Sequence, residues 1–229
     1  MAFQGYTQET VDFMWGIRFN NERGWFLERK DDYINTFLTP TRELGEQVYD
    51  AVHALLPDEP LMLKVSRIYR DARRLFGRGP YKDHLWWCIR TGDKDWTGRP
   101  TFWLGPDYYS FGLGFWSPAA ALMETYRKQI DAHPEELSKL VRQFNRQSVF
   151  TLDGPEYARS KGQTSDLLRS WYQKKSLSLR WEGPLDERIF TSALAEDIIA
   201  GFKTLIPFYH YFNKLVALTP RQERRGEEA

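Results

Sequence analysis

The spacing of apolar residues changes twice along this chain of 229 residues, and this change constrains the fold more than any other feature. Up to about residue 56, apolar side chains recur at the spacing of amphipathic helices. They then alternate with polar or small residues, which predicts strands. The four predicted strands are 63–70, 84–91, 100–104 and 108–116. Helical spacing returns after Pro118, where a serine and a proline form a helix start signal.

Short turns connect the predicted strands. Gly105, Pro106 and Asp107 separate the third strand from the fourth, which predicts a hairpin. A short strand is expected within 148–163 and a last strand at 176–182. Clustered strands with helices on either side in sequence predict an α+β fold: a single domain over residues 1–218, with a central, mainly antiparallel sheet of about five strands and helices packed around it. Residues 219–229 are predicted to form a polar, disordered tail.

Charge and cysteine content narrow the class of protein. The formal net charge is +1, whereas a domain that binds nucleic acid is usually clearly basic. Cys88 is the single cysteine, so an internal disulfide is impossible and a reducing compartment is indicated. The N-terminal residues lack the features of a signal peptide, and no segment approaches the roughly 20 apolar residues that span a bilayer. These features predict a cytoplasmic protein with no membrane partner.

Residues 67–84 hold a large local excess of positive charge. The segment contains the cations Arg67, Arg70, Arg73, Arg74, Arg78 and Lys82 and the carboxylates Asp71 and Asp83. Six positive charges minus two negative charges leave +4 locally, against +1 for the whole chain. Cations at this density repel one another unless an anion lies among them. That anion is either a carboxylate of the protein or a ligand, and the sequence leaves both interpretations open.

The ligand interpretation predicts an anion site in this segment. Arg70, Arg73 and Lys82 converge if the loop folds back, because the end of one strand and the start of the next are neighbours. Arginine offers a planar fork for carboxylate or phosphate, and lysine adds a point charge. The predicted ligand-binding cations are Arg67, Arg70, Arg73, Arg78 and Lys82. Two glycines of the loop would let backbone amides approach the anion.

The fourth strand has a face of small residues. Tyr109, Phe111 and Leu113 alternate with Ser110, Gly112 and Gly114. A face without bulky side chains lets another element approach the sheet closely. A packed helix is the favoured occupant. The alternative occupant of this face is a ligand, in which case Gly112 and Gly114 are also predicted to be binding residues.

Two residues of the charged segment are candidates for catalysis. Asp71 lies between Arg70 and Arg73 in sequence, so it is expected to be ionised and held in place, which suits an orienting role. Tyr81 lies beside cations that could lower its pKa and allow proton transfer. A hydrogen bond at the sheet edge is the favoured alternative for Tyr81.

Other common motifs are excluded. The stretch 77–82 lacks the residues of a phosphate-binding P-loop, and a strand rather than a helix follows it. His84 and Cys88 lie four residues apart on a strand, roughly 13 Å, which is too far for a thiol–imidazole pair. The four histidines show no metal-ligand spacing, so no metal site is predicted, and the sequence assigns neither a cofactor nor an oligomeric state.

Several short motifs occur together in a recognisable order. They are Asn20-Asn21, Trp25-Phe26, Tyr33, Arg67-Ile68-Tyr69-Arg70-Asp71, Pro80-Tyr81-Lys82, Ser110-Phe111-Gly112-Leu113-Gly114, Tyr126-Arg127 and Leu167-Leu168-Arg169. From about Phe3 to Val216 the chain resembles the conserved bacterial and fungal proteins grouped as domain of unknown function 2461. The resemblance implies a single compact domain and carries no established activity. From the residues alone, Asn20 and Asn21 are predicted to cap the second helix.

Three hypotheses for function follow. The favoured one is recognition of an anionic small molecule, such as a phosphorylated or carboxylated metabolite, with turnover if Asp71 and Tyr81 act on it. The second is an interaction module for nucleic acid or an acidic protein, which is not favoured. In the third, the arginines only tie the sheet to the helices. Whether the protein is an enzyme is left open.

Overall fold

The computed structural model describes residues 2–91, 99–115 and 117–220. The predicted end of the fourth strand at 116 and most of the predicted polar tail lie outside the described residues. Within them, the α-helices of four or more residues are α1 (Gln8–Phe19), α2 (Arg23–Glu28), α3 (Thr39–Leu55), α4 (Ala120–Ala132), α5 (Pro134–Phe144), α6 (Arg169–Tyr172) and α7 (Ala193–Leu218), and a π-helix (Tyr33–Leu38) leads into α3. None of these helices combines the length and apolar character needed to cross a membrane.

Six strands form one antiparallel sheet. They are β1 (Leu61–Val65), β2 (Leu85–Thr91), β3 (Arg99–Leu104), β4 (Tyr108–Gly114), β5 (Thr151–Asp153) and β6 (Ser178–Pro184). Their order across the sheet is β1-β2-β3-β4-β6-β5, so β1 and β5 are the edge strands. The predicted α+β fold with an antiparallel sheet is confirmed, and β3 and β4 form the predicted hairpin.

The core lies between one face of the sheet and the helices α3 and α7. Alternate residues of β2 and β4 point into it, and Trp87 and Phe111 both contact Phe202 of α7, with ring centroids 6.4 and 6.3 Å apart. Gly45 lets α3 approach the sheet, since a Cβ atom there would lie 3.3 Å from both Leu63 and Trp87. The helices therefore cover the apolar face of the sheet.

The small-residue face of β4 is used differently from the prediction. Helix α7 packs on the opposite face, where Gly201 lies against Phe111. Gly112 and Gly114 instead allow β6 to come close: a Cβ atom on Gly112 would lie 2.1 Å from the backbone oxygen of Leu179. The expectation of a helix on the glycine face is wrong, because the small residues accommodate the backbone of a neighbouring strand.

The N-terminal arm, residues 2–7, docks against residues that come late in the chain. The backbone N–H of Tyr6 donates to the carbonyl of Ile189 at 2.8 Å. Gly5 has a φ of 115° and lies directly on the backbone of Phe190, so a side chain would not fit there. Phe3 is fully buried, and its N–H donates to Gln47 of α3 at 3.0 Å. The arm is thus part of the core.

Candidate functional site

Residues 66–84, called here the arginine loop, connect β1 to β2 and fold back on themselves as predicted. The N–H of Lys82 donates to the carbonyl of Ile68 at 2.7 Å, and the N–H of Arg70 donates to that of Pro80 at 2.8 Å. Tyr69 and Tyr81 form an isolated antiparallel bridge. The two arms of the loop are therefore aligned, which brings Arg70 close to Lys82.

The first strand is shorter than predicted. It ends at Val65 rather than at residue 70. Ser66 still donates its N–H to the carbonyl of Trp86, but its side-chain oxygen accepts the N–H of Trp86 in return. The side chain thus replaces the backbone carbonyl in the ladder. The buried residues also change from the odd-numbered Leu61 to the even-numbered Ser66 and Ile68, so the chain turns its other side to the core after Val65.

Asn21 anchors the arginine loop to the helical part of the protein. Its amide donates to the carbonyl of Tyr81 at 3.0 Å and accepts the N–H of Tyr81 at 2.9 Å. Gly79 leaves room for this contact, since a Cβ atom there would lie 2.2 Å from the Asn21 oxygen. The prediction that Asn21 caps the second helix is wrong: the residue before α2 is Glu22, and the Asn21 amide pairs with a residue 60 positions away.

We expect Asn21→Ala to loosen the arginine loop. The substitution removes two hydrogen bonds to partly buried backbone groups, which should lower the free energy of unfolding by about 1–2 kcal/mol. Hydrogen exchange of the Tyr81 amide should accelerate, measured against the Lys82 amide, whose backbone partner is unchanged. Asn20→Ala, which removes a bond between the Asn20 amide and Gly16 of α1, is the matched control. Unchanged exchange at Tyr81 would contradict this role of Asn21.

Arg70 and Lys82 are half-buried cations that lie near each other. The Nε of Arg70 donates to the carbonyl of Tyr81 at 2.7 Å, which fixes the plane of the guanidinium. Burial and the charge of Arg70 lower the pKa of Lys82 to about 8. Burial also lowers the pKa of Arg70; the negative charge of Asp83 opposes this shift and the charge of Arg78 adds to it. Among the residues that the structure describes, no carboxylate is within ion-pair distance of Arg70 or Lys82.

The carboxylate next to this cluster is engaged elsewhere. Asp83 lies 2.6 Å from the Nε of Arg18 and 2.9 Å from the Nδ1 of His84. The hydrogen bond to His84 and the bond and charge of Arg18 hold the pKa of Asp83 well below its usual range. Arg18 also pairs with Asp107 at 2.7 Å, so Asp83 belongs to a network that joins α1, the loop and the β3–β4 turn.

The structure places the other predicted residues of the loop at the protein surface. The charge of Arg78 acts on the pKa of Arg70, but Arg78 is itself exposed and its Nε donates to the carbonyl of Leu75 at 3.3 Å. Arg73 is 88% exposed and binds Asp71 through Nε at 3.0 Å and through a terminal nitrogen at 2.9 Å. Arg67 is exposed as well. Asp71 is therefore held by a surface arginine. For this one residue, the structure agrees with the interpretation that carboxylates of the protein pair with the arginines.

The surroundings of Tyr81 and the positions of Gly112 and Gly114 differ from those predicted for a binding site. Tyr81 is buried and stacks on Phe26 with ring centroids 4.2 Å apart. Burial raises the pKa of Tyr81, so the expected lowering by neighbouring cations is wrong. Gly112 pairs with Thr101 and Arg180, and β3 separates its strand from β2. The structure does not bring Gly112 or Gly114 to the arginine loop.

Aromatic side chains lie on the sheet face opposite the core, beside the loop. The Nζ atoms of Lys64 and Lys82 lie 5.8 and 5.9 Å from the ring centroid of Trp86. Trp103, paired with Trp86 across β2 and β3, stacks on Tyr108 at 4.2 Å. Trp86 lies between the buried residues Leu85 and Trp87 along β2, and because side chains of a strand alternate between its faces, Trp86 points away from the core.

Comparison with known proteins identifies the family of the chain. Within the described residues, no group of three or more His, Cys, Asp or Glu side chains is placed to hold a metal ion. No curated protein matches the chain. A family model described as "Conserved hypothetical protein (DUF2461)" matches residues 9–211, which include the arginine loop and all six strands. The chain belongs to this family of conserved hypothetical proteins.

Proposed function

We propose that the arginine loop binds an anionic small molecule carrying a phosphate or carboxylate group. The observation that carries the proposal is the pair of half-buried cations, Arg70 and Lys82, which lie together without an ion-pair partner among the described residues. Two buried like charges repel, and a bound anion would relieve that repulsion. The buried thiol of Cys88 is consistent with a reducing, cytoplasmic setting for this activity.

The geometry suits a bidentate contact. The Nε of Arg70 is held by the Tyr81 carbonyl, and within the described part of the chain its terminal nitrogens form no hydrogen bond. A fixed guanidinium with available N–H groups can bind two oxygens of one carboxylate or phosphate. Lys82 would add a point charge, and Trp86 a ring face beside it. We propose recognition without assigning a reaction, because Tyr81 packs in the core while Asp71 is held by Arg73 at the surface.

Calorimetric titration of the purified protein tests this proposal. The probes are glucose 6-phosphate, AMP and succinate, with glucose as the uncharged control. Arg70→Gln and Lys82→Gln should each weaken binding of the best probe at least tenfold. Arg73→Gln is the matched control, since it removes an arginine of the same loop that already pairs with Asp71, and it should leave the affinity within twofold. Equal loss in all three variants, or none in any, would refute the proposed site.

The affinity should also depend on pH. Because the pKa of Lys82 is about 8, its ammonium loses its charge as the pH rises through that value, and anion binding should weaken between pH 7 and pH 9. Lys82→Arg keeps the charge over this range and should flatten the profile. The charged groups around Lys82 are Arg70, Asp83 and, across Trp86, Lys64. A profile that is unchanged in Lys82→Arg would show that another group titrates.

A second candidate function is binding of single-stranded nucleic acid. The specific observation is Trp86 with two lysines beside its ring, an arrangement that can stack a base and hold its phosphates. Binding through several phosphates weakens steeply with salt, whereas a pocket ligand with two or three contacts responds less. Titration of a ten-nucleotide strand at 50 and 200 mM salt therefore separates the two candidates.

A further inference from the structure

Lys82 lies on the second arm of the arginine loop, next to the tyrosine bridge that aligns the two arms. Its backbone N–H donates to the carbonyl of Ile68 at 2.7 Å, and the preceding residue, Tyr81, is bridged to Tyr69. Its side chain is half-buried, with Nζ 5.9 Å from the ring centroid of Trp86. The hydrogen-bonded backbone thus fixes the position from which the side chain of Lys82 extends.

The amine of Lys82 is unpartnered but not enclosed. Within the described residues, Nζ forms no hydrogen bond and has no carboxylate within ion-pair distance. In this part of the chain, the buried side-chain nitrogens without a partner belong to Trp87, Arg90, Arg127 and Arg180, and not to Lys82. The amine therefore keeps accessible surface, and a small molecule can touch it.

The guanidinium of Arg70 lies beside this amine. The N–H of Arg70 donates to the carbonyl of Pro80, and the N–H of Lys82 to that of Ile68, so Arg70 and Lys82 are diagonal neighbours on the two arms. Diagonal neighbours of an antiparallel pair are about 7–8 Å apart and point to the same side, which is within reach of long side chains. A molecule whose anionic group binds Arg70 would therefore have its next few atoms close to the Lys82 amine.

The surroundings of Lys82 favour the uncharged form of its amine. Burial and the charge of Arg70 lower its pKa to about 8. At pH 7 a lysine with this pKa is uncharged in about one molecule in ten, against fewer than about one in a thousand for an ordinary lysine with a pKa of about 10.4. The uncharged amine attacks carbonyl groups, and desolvation or a neighbouring cation is what makes a lysine nucleophilic in enzymes.

We propose that Lys82 forms an imine with a small aldehyde or ketone that also carries a carboxylate or phosphate. The proposal rests on the proposed function, since Arg70 would bind the anionic group and so place the carbonyl carbon at Nζ. It goes further in naming a covalent step and a class of substrate. The accessible, unpartnered amine beside a fixed guanidinium is the observation that carries it.

The step needs no oxidant and no reductant. The Nζ of Lys82 adds to the carbonyl carbon, the carbonyl oxygen takes the two protons of the amine and leaves as water, and a C=N bond forms. Protonation of the imine nitrogen then restores a positive charge next to the bound anion. The two cationic positions of the site are therefore kept in the covalent complex.

Reductive trapping tests the proposal. Sodium cyanoborohydride donates hydride to an imine and converts it to a stable secondary amine, and peptide mass spectrometry locates the modified lysine. With glyceraldehyde 3-phosphate, Lys82 should be modified at least tenfold faster than any other lysine of the chain. Glyceraldehyde, which lacks the phosphate, should show no such preference. Succinate, which has no reactive carbonyl, should slow the reaction at Lys82 and at no other lysine.

Three variants define the roles of the residues. Lys82→Arg keeps the charge but has no primary amine, so it should bind succinate with an affinity within twofold of the wild type and give no adduct at residue 82. Arg70→Gln should bring the rates with the two aldehydes to within twofold of each other. Lys64→Arg is the matched control, because the Nζ of Lys64 lies 5.8 Å from the same Trp86 ring, and it should leave the adduct at Lys82 unchanged. Circular dichroism establishes that each variant is folded.

The outcomes separate this proposal from the proposed function. If succinate binds and Arg70→Gln weakens its binding, but glyceraldehyde 3-phosphate modifies all lysines at similar rates, the imine proposal is overturned and the proposed function stands. If no anion binds and both aldehydes modify Lys82 equally, the proposed function fails, and the anionic class of substrate fails with it.

Discussion

Gly112→Ala is expected to lower the free energy of unfolding by about 3 kcal/mol or more. The added Cβ atom would lie 2.1 Å from the carbonyl oxygen of Leu179 and 2.9 Å from the Cα atom of Arg180. Both are backbone atoms of β6, so no side-chain rotation can make room. The strands β4 and β6 would have to separate, and their seven paired residues join the β1–β4 part of the sheet to β6 and β5. Urea denaturation measures the change.

Gly24→Ala is the matched control for this substitution. Gly24 lies within α2, and a Cβ atom there would have no heavy atom within 4 Å. Alanine in a helix loses less conformational entropy on folding than glycine does, so this variant should be more stable than the wild type by about 0.5–1 kcal/mol. If Gly112→Ala were as stable as the wild type, the close approach of β6 would not be the reason for a glycine at that position.

Asp83→Asn is expected to lower the free energy of unfolding at pH 7 by about 2–3 kcal/mol. The carboxylate bonds both Arg18 and His84, and only 17% of its side chain is exposed. The amide of asparagine keeps the shape of the carboxylate but loses its charge. The partly buried guanidinium of Arg18 then keeps only one anionic partner among the described residues, Asp107. Asp58→Asn, which changes an exposed carboxylate, should alter stability by no more than about 0.5 kcal/mol.

The Asp83 carboxylate makes the stability of the protein depend on pH, with a loss of stability in acid. The pKa of Asp83 is lower in the folded protein than the value of about 3.9 expected in the unfolded chain. Its contribution is therefore fully present above about pH 4–5 and is lost as the pH falls through the folded-state pKa. Urea denaturation at steps from pH 7 to pH 3 should show a smaller loss of stability for Asp83→Asn than for the wild type. Parallel curves for the two proteins would contradict this role of Asp83.

The fold was largely predictable because its signals are local. A continuous run of apolar residues marks β2, alternation of large and small residues marks β4, and the turn residues Gly105 and Pro106 mark the hairpin between β3 and β4. The expected number of strands, about five, is close to the six observed. The folding back of the arginine loop was also predictable, since adjacent antiparallel strands bring the two ends of their connection together.

The contacts that position the site were not predictable, because they join residues far apart in sequence. Arg18 meets Asp83 across 65 positions, and no local pattern marks Arg18 as its partner. Asn21 is a residue type that commonly caps helices, yet its side-chain amide hydrogen-bonds to the backbone of Tyr81. The ring of Tyr157, in the irregular segment between β5 and β6, contacts Arg127, a residue of a helix that begins at Ala120. Periodicity carries no information about such a combination.

The docking of the N-terminal arm on Ile189 and Phe190 sets an order of events during synthesis. Phe3 and Tyr6 are synthesised before their partner, since the backbone group that receives Tyr6 follows only after more than 180 further residues. At a translation rate of about 5–20 residues per second, the arm waits roughly 10–40 s for its partner. During that interval two aromatic residues that end up buried are exposed on the nascent chain. The contact of the arm with Ile189 therefore forms only after the segment around that residue has been synthesised.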